Sequence, residues 1–262
     1  MFSLLRMLVP SFTNLFLLFM FYLDNNLEFF LRQDLQEFIS SPAIKVGSLT
    51  TWVYYDGRNF LGSNEDITEP LPFVYNDDGT PLVQKSTGSR YFRYDHSMDK
   101  MVVDTILSGE QNSDSQQVVY NFMVHALADC LAQGSTEFFM TFTSHGAGFA
   151  GFGGDDHTQR KLLQSNQRII SGIQQALADT PNAPSQLDVI GFDACLMSAF
   201  GALDEYRDVA KYVLASEATE PGHGTSPRSK PGDKNRSTKC DFVSRTLSSQ
   251  QFVVYLLFLC LC

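Results

Sequence analysis

Two short segments of this 262-residue chain hold residue types that could act on one another. Ser144-His145-Gly146-Ala147-Gly148 follows the apolar run Glu137–Thr143 (EFFMTFT), and Asp193-Ala194-Cys195-Leu196 follows the apolar run Leu187–Phe192 (LDVIGF). A thiol and an imidazole delivered to one place form a nucleophile–base pair, the imidazole accepting the thiol proton. A thiol pKa falls beside an imidazolium or at a helix N-terminus, and the segment from Met197 to Ala210 reads as a helix that would start close to Cys195. The glycines after His145 let backbone amides approach a substrate carbonyl, as stabilisation of an oxyanion requires. Taken alone, each residue has a plainer reading: a cysteine after a core strand is usually a small buried hydrophobe, and a histidine in a glycine-rich loop can be a turn residue.

The elements that must position the two segments read as alternating strands and helices. Leu15–Leu23 is nearly continuous in apolar residues, as in a strand buried on both faces. Asp24-Asn25-Asn26 breaks it, and Leu27–Ile39 has helical apolar spacing. Leu49–Tyr55 reads as a strand ending at a turn, Asp56-Gly57, and the mixed stretch Arg58–Lys100 suggests short hairpins. Ser115–Ala132 and Gln164–Ala178 read as helices, and Tyr212–Ser216 as a short strand. Such alternation predicts an α/β fold with a mostly parallel sheet flanked by helices on both faces. Loops at the carboxyl ends of parallel strands form the ligand crevice, so the histidine and cysteine loops are expected on the same sheet edge.

Composition narrows the classes. The net charge of −10, from 19 basic and 29 acidic residues, opposes nucleic-acid binding. Five scattered cysteines without a CxxC pair argue against a disulfide framework or a zinc site. No run approaches the ~20 apolar residues of a membrane-spanning helix. The greasy first stretch is broken by Arg6, Pro10 and Asn14, and the last, Phe252–Cys262, is short. From Ser226 to Arg245 there are six Lys/Arg against two Asp and no periodicity, which reads as a basic low-complexity tail.

Three segments, in order, resemble the clostripain family of cysteine peptidases, whose fold is caspase-like: DNNLEFFLRQDLQEF (24–38), TFTSHGAGFAGFGGDD (141–156) and DVIGFDACLMSAFGALDEYRDVAKYVLASEATEPGHG (188–224). The 50-residue interval from His145 to Cys195, histidine first, is close to the caspase spacing. The resemblance implies three parts: an N-terminal extension (1–14), a caspase-like peptidase domain (15–225) and the tail (226–262). Beyond Thr225 the sequence departs from the family pattern, so the catalytic core is expected to be incomplete at its C-terminal end.

By position, the resemblance makes His145 the catalytic histidine, Cys195 the nucleophile, and the amides of Gly146 and Cys195 the oxyanion hole. It makes Asp193 the acidic residue that receives a basic side chain, so peptide or protein substrates would be cut after Arg or Lys. It implies no cofactor for the chemistry, and calcium, implicated in several members, as a candidate activator. The polar linker around Arg160-Lys161 reads as exposed, and an enzyme that cuts after basic residues would find a self-cleavage site there. The rival reading is an inactive caspase-like module that binds peptides or partners. His96, His125, His157 and His223 lack metal-ligand spacing and read as surface or loop histidines. Asp95, Asp99, Asp155 and Asp156 read as exposed loop carboxylates without an EF-hand pattern.

Overall fold

The computed structural model describes residues 14–45, 49–57, 74–75, 88–108, 111–156, 163–219, 240–245 and 255–260. Its centre is β1 (Leu15–Leu23), whose LFLLFMFYL sequence has no polar face because the strand has no solvent face. It pairs in parallel with β2 (Leu49–Gly57) on one side and with β6 (Glu137–Thr143) on the other. The sheet continues from β6 through β9 (Leu187–Asp193) to β10 (Ala210–Ser216), all parallel. Beyond β2 lies an antiparallel hairpin, β4 (Gly88–Asp95) and β5 (Lys100–Ile106), with the two-residue β3 (Val74–Tyr75) at its edge. β11 (Cys240–Arg245) and β12 (Tyr255–Cys260) extend the β10 edge, β12 parallel to β10. The short antiparallel pair β7 (His145–Gly146) and β8 (Phe152–Gly153) stands apart from this sheet.

Side-chain alternation divides the core into two layers. Phe16, Leu18, Met20 and Tyr22 point to the face covered by α2 (Gln116–Ala132) and α3 (Asn166–Asp179). Leu17, Phe19 and Phe21 point to the face covered by α1 (Glu28–Ile39), where Leu31, Leu35 and Phe38 pack down. Phe38 meets Phe19 at a ring-centroid distance of 4.2 Å. This is the expected mostly parallel α/β sheet with helices on both faces. Ser115 caps α2, its hydroxyl accepting from the Val118 amide at 3.2 Å.

Some local expectations change. β2 does not stop before Asp56-Gly57: both residues pair with Ser89 and Gly88 of β4 and so continue the strand. Of the stretch 58–100, the hairpin is present from Gly88 on, while 58–73 and 76–87 lie outside the described residues. The helix expected from Met197 to Ala210 is only α4 (Phe200–Glu205), followed by a 3₁₀ turn at Tyr206–Asp208. Cys195 therefore does not sit on a helix N-terminus. No helix among the described residues is long and apolar enough to cross a membrane.

Candidate active site

The register of the central strands decides what meets at the sheet edge. Phe21 of β1 aligns with Thr143 of β6, and Thr143 with Asp193 of β9. The residues that follow these three strands are therefore neighbours: Asp24-Asn25-Asn26, Ser144-His145-Gly146 and Ala194-Cys195-Leu196. The Ser144 amide donates to the Asp193 carbonyl at 3.4 Å. Gly146 is fitted against the cysteine loop. A β-carbon there would lie 2.4 Å from the Cys195 carbonyl oxygen and 2.9 Å from both Ala194 Cβ and Met197 Cγ. Only glycine allows the two backbones to approach this closely.

Cys195 is half-buried and is not in a disulfide. The turn that carries it is held by β10, not by a helix. The Leu196 amide donates to the Ala218 carbonyl (3.0 Å) and the Ser198 amide to the Ser216 carbonyl (2.9 Å). Leu196 has φ of 62°, in the left-handed region, at a strain of about 1–3 kcal/mol for a non-glycine residue. That strain sits immediately after the thiol-bearing residue.

His145 is half-buried, with Nε2 2.8 Å from Asn26 Oδ1. An amide oxygen only accepts, so Nε2 carries the proton in this pair and Nδ1 keeps its lone pair. Burial holds the imidazole pKa below its usual value, with the Asp156 carboxylate acting in the opposite direction. The ring is thereby kept neutral, as a base for a thiol must be.

The histidine loop is fastened from below by buried polar groups. Asn25 Nδ2 lies 3.0 Å from each of the Tyr22 carbonyl, Ser144 Oγ and the Gly154 carbonyl. The Gly154 amide donates to Asp114 (3.0 Å) and the Ser113 amide to Asp155 (2.9 Å). Burial raises the Asp114 pKa to about 6, against the pull of the Gly154 and Asp155 amides and of Arg168. Gly153, at φ of 96°, adopts a backbone that favours glycine and passes so close to Asp114 that a β-carbon would lie 2.5 Å from Oδ1. Asp155 is thus fully buried and structural, contrary to its reading as an exposed loop carboxylate. Asp95 accepts from Ser97 and Met98, and Asp99 pairs with Lys45, both in the distant β4–β5 hairpin.

No group of three or more His, Cys, Asp or Glu among the described residues could hold a metal ion. His125 is exposed and pairs with Asp104 at 2.8 Å, and His96 contacts the Leu49 carbonyl at 2.6 Å.

Asp193 is largely buried, at 8% exposure. With Thr141, Thr143 and Gly191 it falls on the α1 face of the sheet by strand alternation. Of the expected site residues, His145, Gly146, Asp193 and Cys195 are therefore brought together. Arg160, Lys161, His157 and His223 lie outside the described residues. Sequence reading passed over Asn25 and Asn26, which it took only as a strand breaker. The signal was their place, directly after the most buried parallel strand and hence on the same edge as the other two loops. Asp114 gave no local signal, since its partner Gly154 is 40 residues away.

Residues 20–244 match the family model of the clostripain family. No curated protein matches the chain. Among solved structures, a secreted C11 cysteine protease from Bacteroides thetaiotaomicron, in complex with an irreversible peptide inhibitor, superposes with a TM-score of 0.57 at 21% identity, covering 81% of this chain and 51% of that one. An inactive zymogen C11 protease from Parabacteroides distasonis gives 0.53 at 18% identity, with coverages of 81% and 51%. A secreted C11 cysteine protease from Bacteroides thetaiotaomicron termed iotapain gives 0.55 at 13% identity, with coverages of 81% and 54%. The chain spans about half the length of these structures. At such identities the likeness is one of fold, and it is the fold expected from the sequence. The family match takes in most of the chain, the histidine and cysteine loops included, and on that ground the chain belongs to the clostripain family, peptidase family C11.

Proposed function

We propose that the chain is a cysteine endopeptidase that hydrolyses peptide bonds after Arg or Lys through Cys195 and His145. The observation that supports it most is the approach of Gly146 to Cys195, which leaves no room for a β-carbon between the histidine and cysteine loops. Nδ1 of His145 takes the thiol proton and the Cys195 sulfur attacks the carbonyl carbon. The amides of Gly146 and Cys195 stabilise the resulting oxyanion. His145 then gives the proton to the leaving amine as the C–N bond breaks. Water, deprotonated by the same ring, releases the acyl group and returns the proton to sulfur. Asp193 receives the guanidinium or ammonium of the residue before the cut.

Arg160-Lys161 is the proposed self-cleavage site, on its dibasic sequence. The test is release of a fluorogenic amine from peptides ending in Arg or Lys, with and without calcium, by wild-type, Cys195→Ala and His145→Ala proteins. Turnover by the wild type alone is expected, with a new N-terminus at Lys161 or Leu162 that the Cys195→Ala protein does not form. Binding of the same peptides without turnover would mark the chain as a peptide-binding module instead.

A further inference from the structure

Among the described residues five large apolar side chains are exposed: Ile106, Phe149, Leu196, Phe200 and Tyr212. Single exposed apolar residues need no explanation, but a group of them beside a reactive centre does. Three of the five, Phe149 (80% exposed), Leu196 (40%) and Phe200 (74%), stand on the segments that follow His145 and Cys195. These segments adjoin. Gly148, the residue before Phe149, runs so close to the cysteine loop that a β-carbon there would lie 3.0 Å from the Leu196 carbonyl oxygen and 3.1 Å from Ala199 Cβ. Ala199 is in turn the residue before Phe200. Leu196 is far from fully buried, and its backbone, at φ of 62°, would be easier for glycine. Neither core packing nor backbone geometry accounts for a leucine at that position.

The patch lies across the sheet from Asp193. Phe192 and Asp193 point to opposite faces by strand alternation. Asp193 is on the α1 face, whereas Phe192 packs on Tyr206 at a ring-centroid distance of 5.0 Å, on the face covered by α2 and α3. Asn166, the first residue of α3, ties both segments to that second face. Its Nδ2 donates to the Gly148 carbonyl (3.2 Å), and its Oδ1 accepts from the hydroxyl of Tyr206, which directly follows α4 (3.2 Å). A peptide whose basic side chain enters from the Asp193 side of Cys195 leaves on the opposite side, where the patch is. The nitrogen of the residue after the cut must also be within reach of His145, which protonates it, and the His145 loop runs on to Phe149 four residues later.

We infer that Phe149, Leu196 and Phe200 form the subsite for the residue immediately after the cut, and that this subsite selects an apolar side chain. The inference rests on the proposed cleavage after basic residues by Cys195. An aliphatic or aromatic side chain laid on the patch removes apolar surface of both partners from water, whereas a serine or aspartate side chain removes little. The residue concerned departs with the amine. The patch therefore acts on formation of the acyl-enzyme and not on its hydrolysis by water.

The test uses internally quenched peptides with Arg before the cut that differ only in the next residue: Leu, Phe, Ser or Asp. Wild type should prefer Leu to Ser by at least about tenfold in kcat/KM. With Phe149→Ser and Phe200→Ser combined, the preference should shrink to within about twofold. Ile106→Ser, exposed on the distant β4–β5 hairpin, should keep it whole. All three replaced side chains are exposed, so the thermal midpoints should match that of the wild type. Binding reads the same subsite without turnover. In Cys195→Ala protein the Arg-Leu peptide should bind at least about fivefold more tightly than the Arg-Ser peptide, and the difference should vanish when both phenylalanines are replaced. A wild type that cuts the Arg-Leu and Arg-Ser peptides equally well would overturn the subsite and leave the proposed function standing. A preference for Leu that persists undiminished without Phe149 and Phe200 would overturn it as well. A wild type that cuts none of the four peptides would overturn the proposed function, and the subsite with it. A wild-type dimer that dissociates when both phenylalanines are replaced, with the Leu/Ser preference unchanged, would assign the patch to a second copy of the chain and overturn the inference.

Discussion

Asn26 Oδ1 accepts a hydrogen bond from His145 Nε2 at 2.8 Å, joining the turn after β1 to the loop after β6. The bond fixes both the ring's plane and its tautomer, so Nδ1 is the nitrogen left for a proton. Replacing Asn26 with Ala should lower kcat by up to about 100-fold, the lower end of what positioned acid–base catalysis contributes, with KM nearly unchanged. Asn26→Asp should retain the ring's orientation and raise the His145 pKa by its added charge. A kcat in Asn26→Ala equal to wild type, measured on a fluorogenic arginyl amide, would show that the ring is oriented by other contacts.

Gly146→Ala tests the closeness of the two loops. The new β-carbon, 2.4 Å from the Cys195 carbonyl oxygen, forces the loops apart. If the Gly146 amide faces the oxyanion, kcat should fall about 100- to 1000-fold, the usual effect of losing one such donor. The thermal midpoint should also fall, because the clash is with backbone and not with a movable side-chain tip. Unchanged kinetics would exclude Gly146 from the reaction.

The titration of His145 has a definite sign. Burial lowers its pKa and Asp156 opposes burial by favouring the imidazolium. Asp156→Asn should therefore move the titration further down, and the proximal acid limb of kcat/KM with it. Proton NMR of the imidazole in Cys195→Ala protein reads this without coupling to the thiol. A midpoint that rises in Asp156→Asn contradicts the assigned electrostatics.

Asp34 makes a separate prediction about stability. Its folded-state pKa of about 8 lies above the ordinary carboxylate value, so the folded chain holds a proton that the unfolded chain releases. Stability from this group is complete below the unfolded value, about 4, and is lost as pH rises toward 8. Asp34→Asn, with Asp193 and Glu37 unchanged, should flatten this decline and raise the thermal midpoint at pH 8 relative to wild type. A midpoint that drops equally at pH 5 and pH 8 in Asp34→Asn would point to lost packing.

Removing Asp114 tests the support beneath the histidine. Asp114→Ala leaves the half-buried Gly154 amide without its acceptor, a loss of up to about 1–3 kcal/mol. Hydrogen exchange should speed up across 151–156, and kcat should fall by more than the stability loss alone explains. Protection in 151–156 equal to wild type would show that Asn25 alone holds the loop.

The sequence by itself determined the class of fold and the placing of the histidine and cysteine loops on one sheet edge. Strand periodicity is a local property: LFLLFMFYL has no hydrophilic face, and EFFMTFT and LDVIGFD are mostly apolar, so they are expected inside a covered sheet. Residues at the ends of parallel strands then fall on one edge whatever the connections between them, which brings His145 and Cys195 to a common place. Tertiary structure decided the rest, because it depends on register and on contacts between residues far apart in the chain. Only the alignment of Phe21, Thr143 and Asp193 puts Asn26 against His145, 119 residues away. The expected helix after Cys195 gave way to a strained turn because Leu196 and Ser198 find their acceptors on β10 and beyond it, at Ala218 and Ser216. Asp34 looked like one more polar helix residue, and only the layer it faces makes it a buried carboxyl. Burial and the neighbouring charge are sums over the fold, so no window of sequence contains them.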